Sequence, residues 1–139
     1  MTLAPAIEAK VRASFARQGL MQTYDATLET VELGAVCLSA PITTAVAQQH
    51  GAAHAGLAFA LGDSAAGYAA LTMIEGDADV MTAEMKINLL RPAVGEVLRA
   101  EGRVVKAGRR LHVVQADVYA VAGGATKLVA VLQGTMVPV

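Results

Sequence analysis

Residues 48–74, QQHGAAHAGLAFALGDSAAGYAALTMI, decide the fold. From 55 onward the stretch is a run of alanine, leucine, glycine and aromatic residues, too long for a strand and apolar on nearly every helical face. It predicts a central helix over about 55–73. A helix apolar nearly all round has to be wrapped rather than laid on a surface. The run approaches membrane-spanning length, but Asp63 and its many small residues point to a buried helix, so no membrane span is expected.

Working outward, four segments of strand character follow: VMTAEMKINLLRP, EVLRAEGRVVKAG, RLHVVQADVYAVAGG and TKLVAVLQGTMVPV, separated by glycine-bearing turns. In the first, Thr82, Glu84, Lys86 and Asn88 alternate with Ala83, Met85, Ile87 and Leu89, which predicts two faces with period two. Short turns between consecutive strands predict an antiparallel meander. Upstream, TYDATLETVEL and AVCLSAPI read as a hairpin broken near Gly34, within a β-like region starting at Gln22. Before it, Leu3, Ile7, Val11 and Phe15 recur at spacing four between Pro5 and Gly19, predicting an amphipathic helix over 3–18. A curved antiparallel sheet around one helix is the simplest arrangement of these pieces. The expected class is α+β, a single domain over 1–139.

Composition narrows the function. Apolar residues make up 55% of the 139-residue chain and charged residues 17%, an excess that predicts hydrophobic surface covered by another subunit. The net charge is −1, with 11 basic and 12 acidic residues, and aromatics amount to two Phe and three Tyr. That pattern gives no nucleic-acid surface. The lone Cys37 excludes an intrachain disulfide and a cysteine-rich zinc site, and its strand-like setting predicts a small core residue. Charges at Glu8, Lys10, Arg12 and Arg17 interrupt the N-terminal apolar residues, so a signal peptide is not expected and the protein is read as cytoplasmic.

Asp63 stands alone in the greasiest part of the chain. An ionised carboxylate buried without partners is costly enough that it normally protonates or is paired. Two readings are open: an acid paired with a core base or facing solvent, and a nucleophile or general base tuned by its surroundings. The helix start favours the second. HGAAHAG sets histidines and glycines where free backbone N–H groups and the helix dipole favour developing negative charge. An oxyanion site and a carboxylate on one segment point to acyl transfer. Ala55 and Asp63 lie eight residues apart, roughly 12 Å along a helix rising about 1.5 Å per residue, too far to serve one carbonyl. Two antiparallel copies across a twofold axis would bring them together, so the site is expected to straddle a dimer interface.

With HAG at 54–56 and Asp63 nine residues after His54, the chain resembles the hotdog-fold acyl-CoA thioesterases of the phenylacetic-acid-degradation type. That family carries His-Gly-Gly at the helix start; here Ala55 replaces the first glycine, and its backbone N–H can still serve as donor. Gln48, Thr82 in MTAEMKINLLRPA and the MKINLLRPA and VVKAGRRL segments also match, over about 45–137. The resemblance implies a hotdog fold and hydrolysis of an acyl-CoA thioester, with Asp63 activating water or attacking the carbonyl. It further implies that Ala55 holds the oxyanion across the dimer, that Gln48 and His54 orient loop and substrate, and that Thr82 bonds the acid or the water. It implies a homodimer or a dimer of dimers, and no cofactor beyond the coenzyme A of the substrate.

Gly56, Asn88, Arg91, Lys106, Arg109 and Arg110 complete the candidate set. The basic ones are either ordinary turn charges or contacts for coenzyme A phosphates. Tyr68 and Phe59 read as core fillers rather than an acyl pocket. His50 reads as a loop residue. His112 has no neighbour at metal-ligand spacing, so no metal is expected. Two other functions remain open: a hotdog hydratase-dehydratase acting on 2-enoyl or 3-hydroxyacyl thioesters, and a non-catalytic acyl-CoA binding dimer.

Overall fold

The computed structural model describes residues 1–139. Helices α1 (Pro5–Arg17) and α2 (Gly19–Thr23) precede strands β1 (Thr27–Glu32) and β2 (Ala35–Pro41), then the long helix α3 (Ala55–Leu71). Strands β3 (Val80–Leu89), β4 (Val97–Ala107), β5 (His112–Ala122) and β6 (Ala125–Pro138) follow. They form one six-stranded antiparallel sheet in the order β1-β2-β4-β5-β6-β3. The α+β class, the hairpin and the curved sheet about a helix are as the sequence predicts. No helix is long and apolar enough to cross a membrane.

Small residues bring helix and sheet into close contact. Ala58, Ala65, Ala66 and Ala69 of α3 are buried, as are Ala100 of β4, Ala116 of β5 and Ala130 of β6. Where α3 crosses β4, a Cβ on Gly102 would lie 2.2 Å from the carbonyl carbon of Ala65, so only glycine lets the two backbones approach this closely. Leu57, Leu61, Leu38, Leu98 and Val118 fill the space around that crossing.

Several expectations need correction. The strands after α3 are not a simple meander. β4, β5 and β6 are, but β3 lies at the far edge beside β6, and the chain recrosses the sheet to place β4 against β2. The β-like region does not begin at Gln22. Gln18 is extended, its carbonyl accepts from Met21 and Gln22, and a second short helix follows before β1. Helix α3 is not wrapped all round within one chain. Ala55, Gly56 and Phe59 (37% exposed) form an open stripe that runs on into half-buried Ala60, Asp63 and Ser64. Phe59 is therefore no core filler within the protomer. Cys37 lies on the outer face of β2, half-buried between inward-facing Val36 and Leu38, and is not a core residue. Burial, helped by nearby Glu101, pushes its thiol pKa up.

The strict alternation in β3 also fails. The register shifts between Thr82 and Glu84, so Thr82 pairs with Met136 while Glu84 pairs with Thr135. The bulge leaves Thr82 pointing at α3 and turns Glu84, Lys86 and Asn88 to the outer face, where Glu84 accepts from the Thr135 hydroxyl. Gly134 belongs to this feature: a Cβ there would meet the Glu84 carbonyl oxygen at 2.4 Å.

Candidate active site

Asp63 sits midway along α3, on the edge of its open stripe. The β3 bulge aims the Thr82 hydroxyl at it, and Thr82 Oγ1 donates to Asp63 Oδ1 at 2.8 Å. Thr82 Oγ1 also lies 3.3 Å from Met136 Sδ. Burial raises the Asp63 pKa above its ordinary value of 3.8, and the Thr82 hydrogen bond offsets part of that rise by favouring the carboxylate. No basic side chain pairs with this acid. The acid is solvated on one side by a cavity of about 350 Å³, whose walls include Ser14, Arg17, Gln18, Ser64 and Tyr68.

The helix start is a separate place. His54 is the N-cap of α3, and its Nδ1 accepts from the Gly56 N–H at 2.8 Å, which assigns the proton of the neutral ring to Nε2. Glycine at 56 leaves room for this contact, since a Cβ there would lie a tight 3.0 Å from Nδ1. The incoming loop is tied down from two sides: His54 N–H donates to Val46 O at 2.8 Å and Ala53 N–H to Ala93 O at 2.9 Å. The next N–H, that of Ala55, opens the first turn and donates to no group of the chain. Gln48 Oε1 accepts from the His50 N–H, and its Nε2 hydrogens are unspent. Gln48, His54, Ala55 and Arg91 share the wall of a mostly apolar cavity of about 500 Å³, with Leu89, Leu90 and Val129.

The candidate residues therefore fall into groups that one chain does not unite. Asp63 and Thr82 meet; Gln48, His54, Ala55 and Arg91 meet; the two groups open into different cavities. Asn88 is on the outer face of β3, in a shallow hollow with Lys86, Arg103 and Asp117. Lys106, Arg109 and Arg110 lie at the exposed β4–β5 turn and line neither cavity. His50 is exposed in the loop. His112 is 4% exposed, its Nδ1 has no partner, and burial lowers its pKa.

Sequence reasoning missed the residues of α1 that face the acid's cavity. Ser14, Arg17 and Gln18 stand at helical spacing beside Phe15, whose ring packs edge-on against Tyr68 with centroids 6.3 Å apart. The stripe Val11–Phe15 was readable; its polar neighbours at positions three and four apart were the available signal.

Comparison with known proteins bears on the family and the fold. A family model described as the thioesterase superfamily matches residues 50–126. The structure of a thioesterase family protein from Silicibacter pomeroyi is 42% identical, covers 96% of this chain and 98% of its own, and superimposes with a TM-score of 0.94. The PaaI protein of the Escherichia coli phenylacetic acid degradation operon is 20% identical, covers 99% and 96%, and has a TM-score of 0.86, a likeness of fold. A Saccharolobus solfataricus protein named as an esterase candidate is 38% identical over 87 residues, which is 63% of this chain and 55% of that relative's length. The matched stretch thus spans about half of that relative. On the family match and the shared fold, the chain belongs to the thioesterase superfamily and carries its hotdog fold.

Proposed function

We propose that the protein is an acyl-CoA thioesterase, with each reaction centre shared between two copies. The observation that carries the reading is the division described above: a carboxylate without a helix-start N–H in one cavity, and an unspent helix-start N–H without a carboxylate in the other. Strand β3 supports a twofold assembly. It is a sheet edge, with Met81 and Leu89 exposed along it and Leu90 just beyond, and a second β3 could complete it.

In this reading the thioester carbonyl lies between Asp63 of one copy and Ala55 of the partner subunit. In its carboxylate form Asp63, whose proton affinity burial raises, takes a proton from water as the water oxygen bonds to the carbonyl carbon. The carbonyl π pair moves onto oxygen, where the Ala55 N–H and the positive end of α3 stabilise it. Collapse expels the thiolate of coenzyme A, which takes the proton back from Asp63 and leaves a free carboxylic acid. Thr82 keeps the carboxylate oriented. Gln48 Nε2 is free to hold the water or the carbonyl, and His54 fixes the first turn by capping it. Arg91 at the helix-start cavity is the basic residue best set to meet a coenzyme A phosphate. No cofactor takes part beyond the coenzyme A of the substrate.

The test is release of free thiol from a panel of acyl-CoAs. Wild-type turnover that falls by about three orders of magnitude in Asp63→Asn, with the fold intact, is expected. Saturable binding without turnover in the wild type would instead identify a binding module.

A further inference from the structure

The cavity beside Asp63 is polar where the helix-start cavity is apolar, and Ser14 and Arg17 of α1, with Gln18 at its end, face Ser64 and Tyr68 of α3 across it. Gln18 is locked across it: its Oε1 accepts from Ser64 Oγ at 3.0 Å, and its Nε2 donates to the Tyr68 hydroxyl at 2.9 Å. Tyr68 OH and Ser14 Oγ lie 3.2 Å apart. Two hydroxyls joined by one hydrogen bond leave one O–H unspent, whichever of them donates. Arg17, in the last turn of α1, forms no ion pair or hydrogen bond, so its guanidinium donors are also free.

Ser14, Arg17 and Tyr68 therefore hold unspent donors, and the free acceptors of the same cavity are the carboxylates of Asp63 and Asp79. Asp79 on the same wall spends one carboxylate oxygen on the Val80 N–H, and its negative charge disfavours a second carboxylate. Tyr68 stands five residues beyond Asp63 on α3, roughly 7.5 Å at about 1.5 Å per residue. A group there would belong to a short acyl chain whose thioester lies at the acid.

We infer that Ser14, Arg17, Gln18 and Tyr68 form a specificity wall selecting short acyl groups that carry a neutral oxygen function at the end remote from the thioester. This rests on the thioesterase reading above. Tyr68 is buried and Ser14 half-buried, so an alkyl end that leaves their hydroxyl hydrogen unpaired loses a hydrogen bond without replacement, whereas Arg17 is exposed and adds a charged donor at the rim.

The experiment measures kcat/KM for matched straight-chain acyl-CoAs, their ω-hydroxy counterparts and their ω-carboxy counterparts. The wild type should favour the ω-hydroxy member by about tenfold, the discrimination that pairing one buried hydroxyl supports. Arg17→Met and Tyr68→Phe should each pull that ratio toward unity, and thermal melts report whether either variant is folded. Hydrolysis of all members without preference would overturn the wall while leaving the thioesterase reading standing. Equal losses on alkyl and hydroxy substrates in Arg17→Met would assign the wall to coenzyme A and overturn acyl selection. A preference for ω-carboxy substrates would overturn the neutral-oxygen choice. Hydrolysis of none would remove both readings.

Discussion

Helix α3 presents two kinds of chemistry at its start and its middle, and they differ in almost every physical respect. At the start, the Ala55 N–H is exposed, unspent and surrounded by Leu89, Leu90 and Val129; its function there rests on backbone alone. At the middle, Asp63 is half-buried, hydrogen-bonded to Thr82 and walled by hydroxyl, amide and guanidinium groups. Neither place suffices for hydrolysis. One can stabilise negative charge but has no carboxylate; the other has the carboxylate and no helix-start N–H. On the proposed reading, the difference makes the unit of function a pair of helices, not a helix.

The comparison breaks most sharply at residue 55. Ala55 is the first residue of α3, and His54 before it has φ −61° and ψ 142°, a conformation that a following proline tolerates. Proline is well accepted at that position and has no N–H. Ala55→Pro should therefore keep the melting temperature while lowering kcat about a hundredfold or more, the scale of a lost oxyanion donor. Steady-state kinetics with thermal melts decide it, and unchanged kcat would sever the helix start from catalysis.

At the middle, Thr82→Val removes the hydroxyl while keeping the shape of the side chain. The hydrogen bond it removes is the one that holds the Asp63 pKa down, so that pKa should rise further. The acid limb of the pH–rate profile should move to higher pH, and kcat at neutral pH should fall about tenfold. A pH profile identical to the wild type would show that Thr82 does not act on the acid.

A smaller effect separates stability from activity. The folded-state pKa of Asp63 lies above its unfolded value, so folding favours the protonated form. The penalty is absent below the ordinary value of 3.8, grows as pH rises toward the raised pKa, and is fully present above it. Asp63→Asn should thus be more stable than the wild type at neutral pH, with the gain vanishing in acid. Melting curves across pH measure this. A neutral-pH loss of stability would mean that the carboxylate is held by a favourable interaction.

Much of this was legible from residues alone. The apolar run after His54 specified the helix, period-two segments specified the later strands, and Asp63 stood out by its isolation. Three things were not. The β3 bulge depends on a close approach between Gly134 and the Glu84 carbonyl, and the lone glycine in LVAVLQGTMV was its only local trace. The far-edge position of β3 follows from how α3 carries the chain across the sheet, a long-range matter that short turns do not encode. The α1 wall arises from packing between Phe15 and Tyr68, more than fifty residues apart in sequence, so its polar members acquire meaning only once that contact forms.

The shared centre is tested most directly with a mixed dimer. Asp63→Asn and Ala55→Pro chains, co-expressed with different affinity tags and purified through both, contain one site with Asp63 and Ala55 both intact and one with neither. Each homodimer should be nearly inactive, and the mixed dimer should recover about half of the wild-type rate per dimer. A mixed dimer as inactive as its parents would contradict a reaction centre built from both copies.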